Sequence, residues 1–347
     1  MHKNHPVALA AWAVIAVTTL AACAGSPATE KPTTVTVVTH DSFSIPDEVV
    51  ASFEARTGLT VKFVAPGDAG MLTNQLVLTK DAPLGDVAYG VDNTFASRVA
   101  DAGVFADYTS KASAAADAGT YAVPGAANLT AVDYSDVCLN IDLGYFSTHN
   151  LAAPKALEDL IKPEYKSLLS VSNPATSSPG LAFALATVAA FGNDWPTYWS
   201  ALRANDVKVT SSWSDTYFTD FSAPNYGGDR PIVLSYASSP PSEVIDGKPT
   251  TAALLDTCFR QVEYVGVLEG AKNPDGARDV VDWMLSDEFQ ASVPENMYVY
   301  PVSSAVEVPA EWAQYAPLAD SPWSLDPATI DAQRDAWIST WTDTVLG

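Results

Sequence analysis

The sequence predicts an α/β protein of two lobes, each a mostly parallel sheet flanked by helices, the two joined by two crossover strands. Three observations carry this expectation. Between residues 34 and 102, β-branched runs alternate with capped helical stretches, the pattern of parallel strands linked by helices. The length of 347 residues suits two domains better than one core. Extended segments at 131–141 and 259–267 stand far apart in the chain, placed to leave one lobe and return to it.

The N-terminal residues set the compartment before the fold begins. Lys3 opens a short charged region, and residues 7–20 are an apolar run too short for an ordinary membrane span. The run ends Leu20-Ala21-Ala22-Cys23, which resembles a bacterial lipobox. Residues 1–22 are therefore expected to be a lipoprotein signal peptide, with Cys23 lipidated as the new N-terminus. Two acyl chains suffice for stable anchoring. The expected location is the cell envelope, on the outer face of the cytoplasmic membrane (the periplasmic side in a Gram-negative cell). Residues 23–33 hold prolines and no periodicity and are expected to form a flexible tether.

Lobe 1 is expected to take residues 34–130 and 265–347, and lobe 2 residues 131–264, with a ligand cleft between them. In lobe 1, TVTVVT at 34–39 reads as a buried strand ending in the polar run His40-Asp41-Ser42-Phe43-Ser44. A helix at 46–57 stops at Gly58, a strand follows at 59–64, and a helix at 71–80. DVAYGV at 86–91 is a third strand, and Asp92-Asn93 can cap a helix at 94–102. Residues 40–43, 68–70 and 92–93 thus fall at strand carboxyl ends, where ligands bind in parallel sheets.

In lobe 2 a helix is expected at 154–161 and a short strand at 168–172. TSSPGLAFALATVAAF at 176–191 reads as a helix start aimed at an anion: Ser178 as N-cap, Pro179 in the first helical position, free N–H groups and three hydroxyls. A helix at 194–204, a strand at 207–210 and another helix from Trp213 follow, then a turn-rich insertion, APNYGGDR, at 223–230. A strand at 232–236 runs into a Ser-rich loop. Further on, a helix at 275–285, an extended aromatic segment at 297–302 and a final helix at 327–345 complete the chain.

Composition excludes more than it suggests. With 41 acidic against 18 basic residues the formal charge is −23, and no basic stripe exists to neutralise phosphates, so a nucleic-acid partner is not expected. Beyond the signal only His40 and His149 remain, too few for a His-rich zinc site, and no G-x-S-x-G elbow supports a hydrolase. No cofactor or metal is expected. In an oxidising compartment Cys138 and Cys258 favour a disulfide over two buried thiols, although their spacing fixes no geometry.

Several short motifs, in one order, resemble the thiamine-binding proteins of bacterial ABC importers. They are THDSF at 39–43, GDAGMLTNQL at 67–76, GDVAYGVDN at 85–93, NPATSSPG at 173–180, WSDTY at 213–217, VLSYASSP at 233–240, YPV at 300–302 and AQRDAWISTW at 332–341. The resemblance implies a type II periplasmic-binding-protein-like fold, a non-enzymatic function, and a monomer that captures thiamine or a thiamine phosphate. It further implies delivery to a permease and its ATPase. Trp213 and Tyr236 would stack on the ligand's rings, and Asp68 with the Ala69 backbone would contact it from lobe 1. Ser177 and Ser178, with Ala237, Ser238 and Ser239, would take the hydroxyl or phosphate end. His40, Asp215, Tyr217 and Tyr298 would complete the wall. The chain departs from the family pattern where His40 replaces a tyrosine, Ala69 a glycine and Tyr298 a tryptophan. Other flat or cationic solutes, polyamines or ferric iron are the alternative ligands, and an exported hydrolase is the alternative class. Ferric binders of related fold commonly use adjacent tyrosines, and the sequence has no Tyr-Tyr pair.

Overall fold

A computed structural model describes residues 32–347, apart from Ser113 and the side chain of Ala116. The signal segment, Cys23 and the tether as far as Lys31 lie outside the described residues. The β-branched runs become β1 (Thr34–Val38), β2 (Thr60–Val64) and β3 (Val87–Asp92), with α1 (Asp47–Thr57) and α2 (Ala69–Leu78) between them. α1 stops where the sequence predicts, at Gly58 with φ 71°, whose N–H donates to the Glu54 carbonyl. α2 begins two residues earlier than expected because the Asp68 carboxylate accepts the Ala69 N–H at 2.5 Å.

After α3 (Ala96–Asp101) and the four-residue α4 (Ala115–Ala118), β4 (Thr130–Asp142) crosses the molecule to α5 (Leu143–Thr148). β5 (Leu169–Ser172) then leads to α6 (Ser178–Phe191) and α7 (Trp195–Ala204), followed by β6 (Lys208–Thr210) and β7 (Ile232–Tyr236). The small hairpin of β8 (Val244–Ile245) and β9 (Lys248–Pro249) precedes β10 (Thr251–Val267), the return strand. The chain ends through α8 (Pro274–Met284), α9 (Asp287–Met297), β11 (Tyr300–Pro301), α10 (Trp312–Tyr315) and α11 (Pro327–Val345).

Among the described residues the main sheet runs β2-β1-β3-β10-β4-β7-β5-β6, with β11 beside β4. Its flanks are parallel, while β3/β10, β10/β4 and β4/β7 are antiparallel. The long antiparallel pair β4/β10 is the spine joining the two flanks. Cys138 on β4 and Cys258 on β10 are disulfide-bonded across it, closing a loop with a sequence separation of 120. One core packs β1 and β3 against α8 and α9 through Val35, Val37, Tyr89, Trp283 and Phe289. The larger core gathers the largely apolar α6 with Trp199 and Trp341, whose rings meet edge to face at 5.3 Å.

Four elements differ from expectation. Residues 154–161 give only a 3₁₀ turn, Leu157–Ile161, closed when Asp159 accepts the Lys155 and Ala156 N–H groups. The helix expected from Trp213 is a six-residue π-helical segment, Asp215–Asp220. β10 begins eight residues before the expected 259, because its upstream half pairs with β4 as far as Asp142. The segment at 297–302 is extended only at β11. Its start ends α9, a helix capped by Ser286 with Phe289 and Val293 inward, which the internal Pro294 conceals in sequence.

Candidate functional site

The carboxyl ends of β1, β3 and β7 converge beside the middle of β10, and a cavity of about 510 Å³ opens there. One wall of it is aromatic. Trp213 stacks on Tyr217 at 5.2 Å and 15°, and meets Tyr236 edge-on at 5.9 Å, while Phe218 and Tyr226 extend the wall. Phe43 and Tyr298 face it from the other side. Trp213 is held in place by its indole N–H, which donates to Ser235 Oγ at 3.0 Å. Tyr217 and Tyr226 both donate their hydroxyls to the fully buried Glu243.

The cavity floor is a buried polar network. His40 Nε2 lies 3.4 Å from Glu263 Oε1, and Tyr89 donates to Asp133 at 2.5 Å and to Glu263 at 3.1 Å. Gly90, with φ 99°, makes room for the imidazole; a Cβ there would stand 2.3 Å from His40 Cδ2. Burial works against the charge on His40, but the Glu263 carboxylate outweighs it and raises the pKa above 6.5. Burial likewise opposes ionisation of Glu263, yet His40 brings its pKa below the usual value. Asp133, buried and next to the Glu263 charge, is raised well above the ordinary carboxylate range. Asp41 and Glu263 line the cavity, and His40 is the one basic side chain among the described lining residues.

The two sides of the cleft touch. Asp68, at the start of α2, accepts the Trp213 N–H at 2.8 Å, and Met71 N–H donates to the Thr176 carbonyl at 3.0 Å. Gly70 permits this approach, since a Cβ would come within 2.5 Å of the Thr176 carbonyl carbon. Ser178 donates to Asp92 Oδ2 and accepts from Gln261 Nε2 at 3.0 Å. Burial raises Asp68, against the hydrogen bonds from Trp213 and Ser177 that favour its charge. Burial also raises Asp92 to about 6.

Of the residues singled out in the sequence, His40, Trp213, Tyr217, Tyr236, Ser239 and Tyr298 line the cavity. Asp68, Ala69 and Ser178 line a deeper void of about 10 Å³ that shares His40, Trp213 and Tyr236 with it. Ser177, not Ser178, is the N-cap of α6, accepting the Gly180 N–H at 3.3 Å, and both serines are fully buried. Ala237 packs behind the wall beside the disulfide. Ser238 bonds Ser135 and the Tyr298 carbonyl, and Asp215 accepts from Ser211; none of these three residues is a lining residue. The lining includes Asp41, Phe43, Phe218, Tyr226, Glu263 and Met297, which sequence reasoning did not select. Asp41 and Phe43 stand inside the THDSF motif and Tyr226 inside the insertion, so those three carried a signal. Glu263 carried one as a carboxylate within the apolar run of β10.

The model of the bacterial extracellular solute-binding proteins matches residues 82–323. The chain belongs to this family. It is 31% identical over 328 residues to the thiamine-binding periplasmic protein of Escherichia coli (strain K12), covering 91% of this chain and 94% of that one. The thiamine-binding periplasmic protein of Brucella suis is 26% identical over 332 residues, with 91% and 93% covered. A solved periplasmic thiamin-binding protein superposes with a TM-score of 0.78 at 29% identity, covering 91% of this chain and 96% of that one. The fold is accordingly the two-lobed, type II periplasmic-binding-protein architecture. This solute-binding protein, like these relatives, is a binder and not an enzyme.

Proposed function

We propose that this solute-binding protein captures thiamine in the cavity between its lobes and delivers it to an ABC permease driven by its ATPase. The observation that carries this reading is the aromatic and acidic cavity in a chain 31% identical to a thiamine-binding protein over 91% of its length. Thiamine's thiazolium is a permanent flat cation. Each well-placed aromatic face attracts such a charge by about 0.5–2 kcal/mol. Asp41 and Glu263 supply the opposite charge.

In this reading lobe 1 comprises residues 34–130 and 265–347, and lobe 2 residues 131–264. Contacts made to both lobes bias the cleft toward closure, because only interactions that differ between open and closed states shift that equilibrium. Cys23 anchors a monomer through its lipids to the outer face of the cytoplasmic membrane, and no helix among the described residues is long and apolar enough to cross it. The test is calorimetric titration of the chain from Ala24 onward with thiamine, following tryptophan fluorescence. One-to-one binding with quenching is expected, weakened more than about tenfold in Trp213→Ala, the equivalent of losing one strong aromatic contact. Absence of heat and quenching up to millimolar thiamine would refute it.

A further inference from the structure

A carboxylate outside the cavity ties its aromatic wall together. Glu243 is fully buried and is not among the residues lining the cavity. Its Oε1 accepts the hydroxyls of Tyr217 at 3.3 Å, Ser242 at 3.2 Å and Tyr226, and its Oε2 accepts Asn225 Nδ2 at 2.7 Å. Its carbonyl takes the N–H and the hydroxyl of Thr250, at 2.9 and 2.8 Å, which fixes it at the entry to β10. Among the described residues no Lys, Arg or His forms an ion pair with it.

Burying a carboxylate without a cation is costly, and a neutral residue of similar size would fill the space at least as well. What the carboxylate supplies is two oxygens with acceptor positions enough for four donors. Those donors come from three separate segments. Tyr217 belongs to the π-helical stretch, a rare form that concentrates at functional sites; Asn225 and Tyr226 belong to the insertion at 223–230; Ser242 belongs to the turn after β7. Three of the four line the cavity: Tyr217, Tyr226 and Ser242. Tyr217 in turn stacks on Trp213 at 5.2 Å and 15°, and Tyr226 lies 5.2 Å from Tyr217 and edge-on to Phe218 at 5.5 Å.

We propose that Glu243 is a positioning residue for the ligand, bracing Trp213 through Tyr217 and drawing the insertion's Tyr226 into the wall. The inference rests on thiamine as the ligand of this cavity. Glu243 acts by geometry: a ring attracts a cation only when its face is presented within about 6 Å, and a ring free to turn away loses that contact.

The experiment titrates thiamine calorimetrically into the unmodified mature chain and into Glu243→Ala, Glu243→Gln, Tyr226→Phe and Asn273→Ala, with each melting temperature measured without ligand. Gln can offer its amide oxygen to both tyrosines, while Asn225 turns its own amide oxygen toward the new N–H group. Asn273, buried at the start of α8 and bonded to the Pro32 and Thr34 carbonyls, is the control for lost stability alone. Glu243→Ala should bind at least about tenfold more weakly and Glu243→Gln within about threefold of the unmodified chain. Tyr226→Phe keeps the ring but removes its tether, and should bind at least about threefold more weakly. Asn273→Ala should lower the melting temperature and leave affinity unchanged. Binding by Glu243→Ala within about threefold of the unmodified chain overturns the proposal. So does Glu243→Gln binding as weakly as Glu243→Ala, which assigns the effect to charge instead of geometry. Should Glu243→Ala fail to fold, unchanged affinity in Tyr226→Phe overturns it alone. An unmodified chain that does not bind thiamine refutes the underlying reading and this inference with it.

Discussion

Asp68 is the residue whose loss should separate binding from folding most clearly. It is 5% exposed, caps α2 through Ala69, and reaches across the cleft to the Trp213 N–H at 2.8 Å. The cap is local to α2, whereas the Trp213 bond spans the cleft and, in the proposed reading, would part on opening. The Ala69 and Trp213 N–H groups bind different carboxylate oxygens, so in Asp68→Asn one of them keeps an oxygen while the other faces the amide nitrogen. Helix capping by Asn is nearly as good as by Asp, so the cap should take the oxygen and the cross-cleft bond should fail. A hydrogen bond to a charged group contributes about 1.5–3 kcal/mol, which falls entirely on the closed state. If closure accompanies binding, the thiamine dissociation constant rises by about 10- to 150-fold. Titration calorimetry measures that loss, small-angle scattering measures ligand-induced compaction, and the melting temperature without ligand reports the fold. A dissociation constant within about threefold of the unmodified protein, with compaction intact, would refute the clamp.

Three further outcomes follow from the same geometry. His40 has a raised pKa, so its charged pairing with Glu263 stabilises the fold fully below pH 6.5, and that contribution is lost as pH rises through the folded value. Over the same rise Glu263 is freed to face a cation, so thiamine affinity should increase with pH above 6.5 and the trend should flatten in His40→Gln; an unchanged pH profile in that variant would contradict it. Removing the disulfide in a Cys138→Ala/Cys258→Ala double variant releases a loop with a separation of 120 and should cost about 4–5 kcal/mol, seen calorimetrically as a melting temperature lower by about 5–15 °C. Tyr226→Ala removes one aromatic wall residue and should weaken thiamine by about 2- to 30-fold in the same titration without lowering the melting temperature comparably.

Strands and helix stops were legible in the sequence where one local rule decided them. TVTVV could only be a buried strand, and Gly58 could only be a left-handed stop. Where tertiary pairing decided, the pattern misled. The upstream half of β10 is only part-buried and carries no clean alternation; β4 holds it extended, not its own propensities. Pro294 argues locally against a helix, yet the burial of Phe289 and Val293 sustains α9 through it. The site divides the same way. Trp213, Tyr236 and His40 stand at strand ends or loop starts, where topology alone directs them to the cleft. Tyr226 could not be placed, because its position depends on a hydroxyl bond to Glu243 made across the fold. Ser177 and Ser178 looked like free donors because a sequence does not reveal that Asp68 and Asp92 come to meet them.

The joint and the cleft are held by different kinds of interaction, and that difference explains how such a molecule can open. Along the β4/β10 spine the ladder is continuous apart from register shifts, and Cys138–Cys258 closes it covalently with both cysteines fully buried. Parting the two strands would break many ladder hydrogen bonds at once and is blocked covalently at the disulfide. Across the cleft the contacts named above are hydrogen bonds: Asp68 to Trp213, Met71 to Thr176, and Ser178 to Asp92. Water can replace each of these, so the net contribution is about 0.5–1.5 kcal/mol for the neutral Met71–Thr176 bond and about 1.5–3 kcal/mol for each of the two to a carboxylate. The spine therefore resists while the cleft exchanges protein partners for solvent. A ligand that fills the aromatic cavity adds what those exchangeable bonds lack, apolar contact with both sides at once. Glu263, on β10 of the spine itself, places the counter-charge in the cavity from the strand that, in the proposed reading, joins the two lobes.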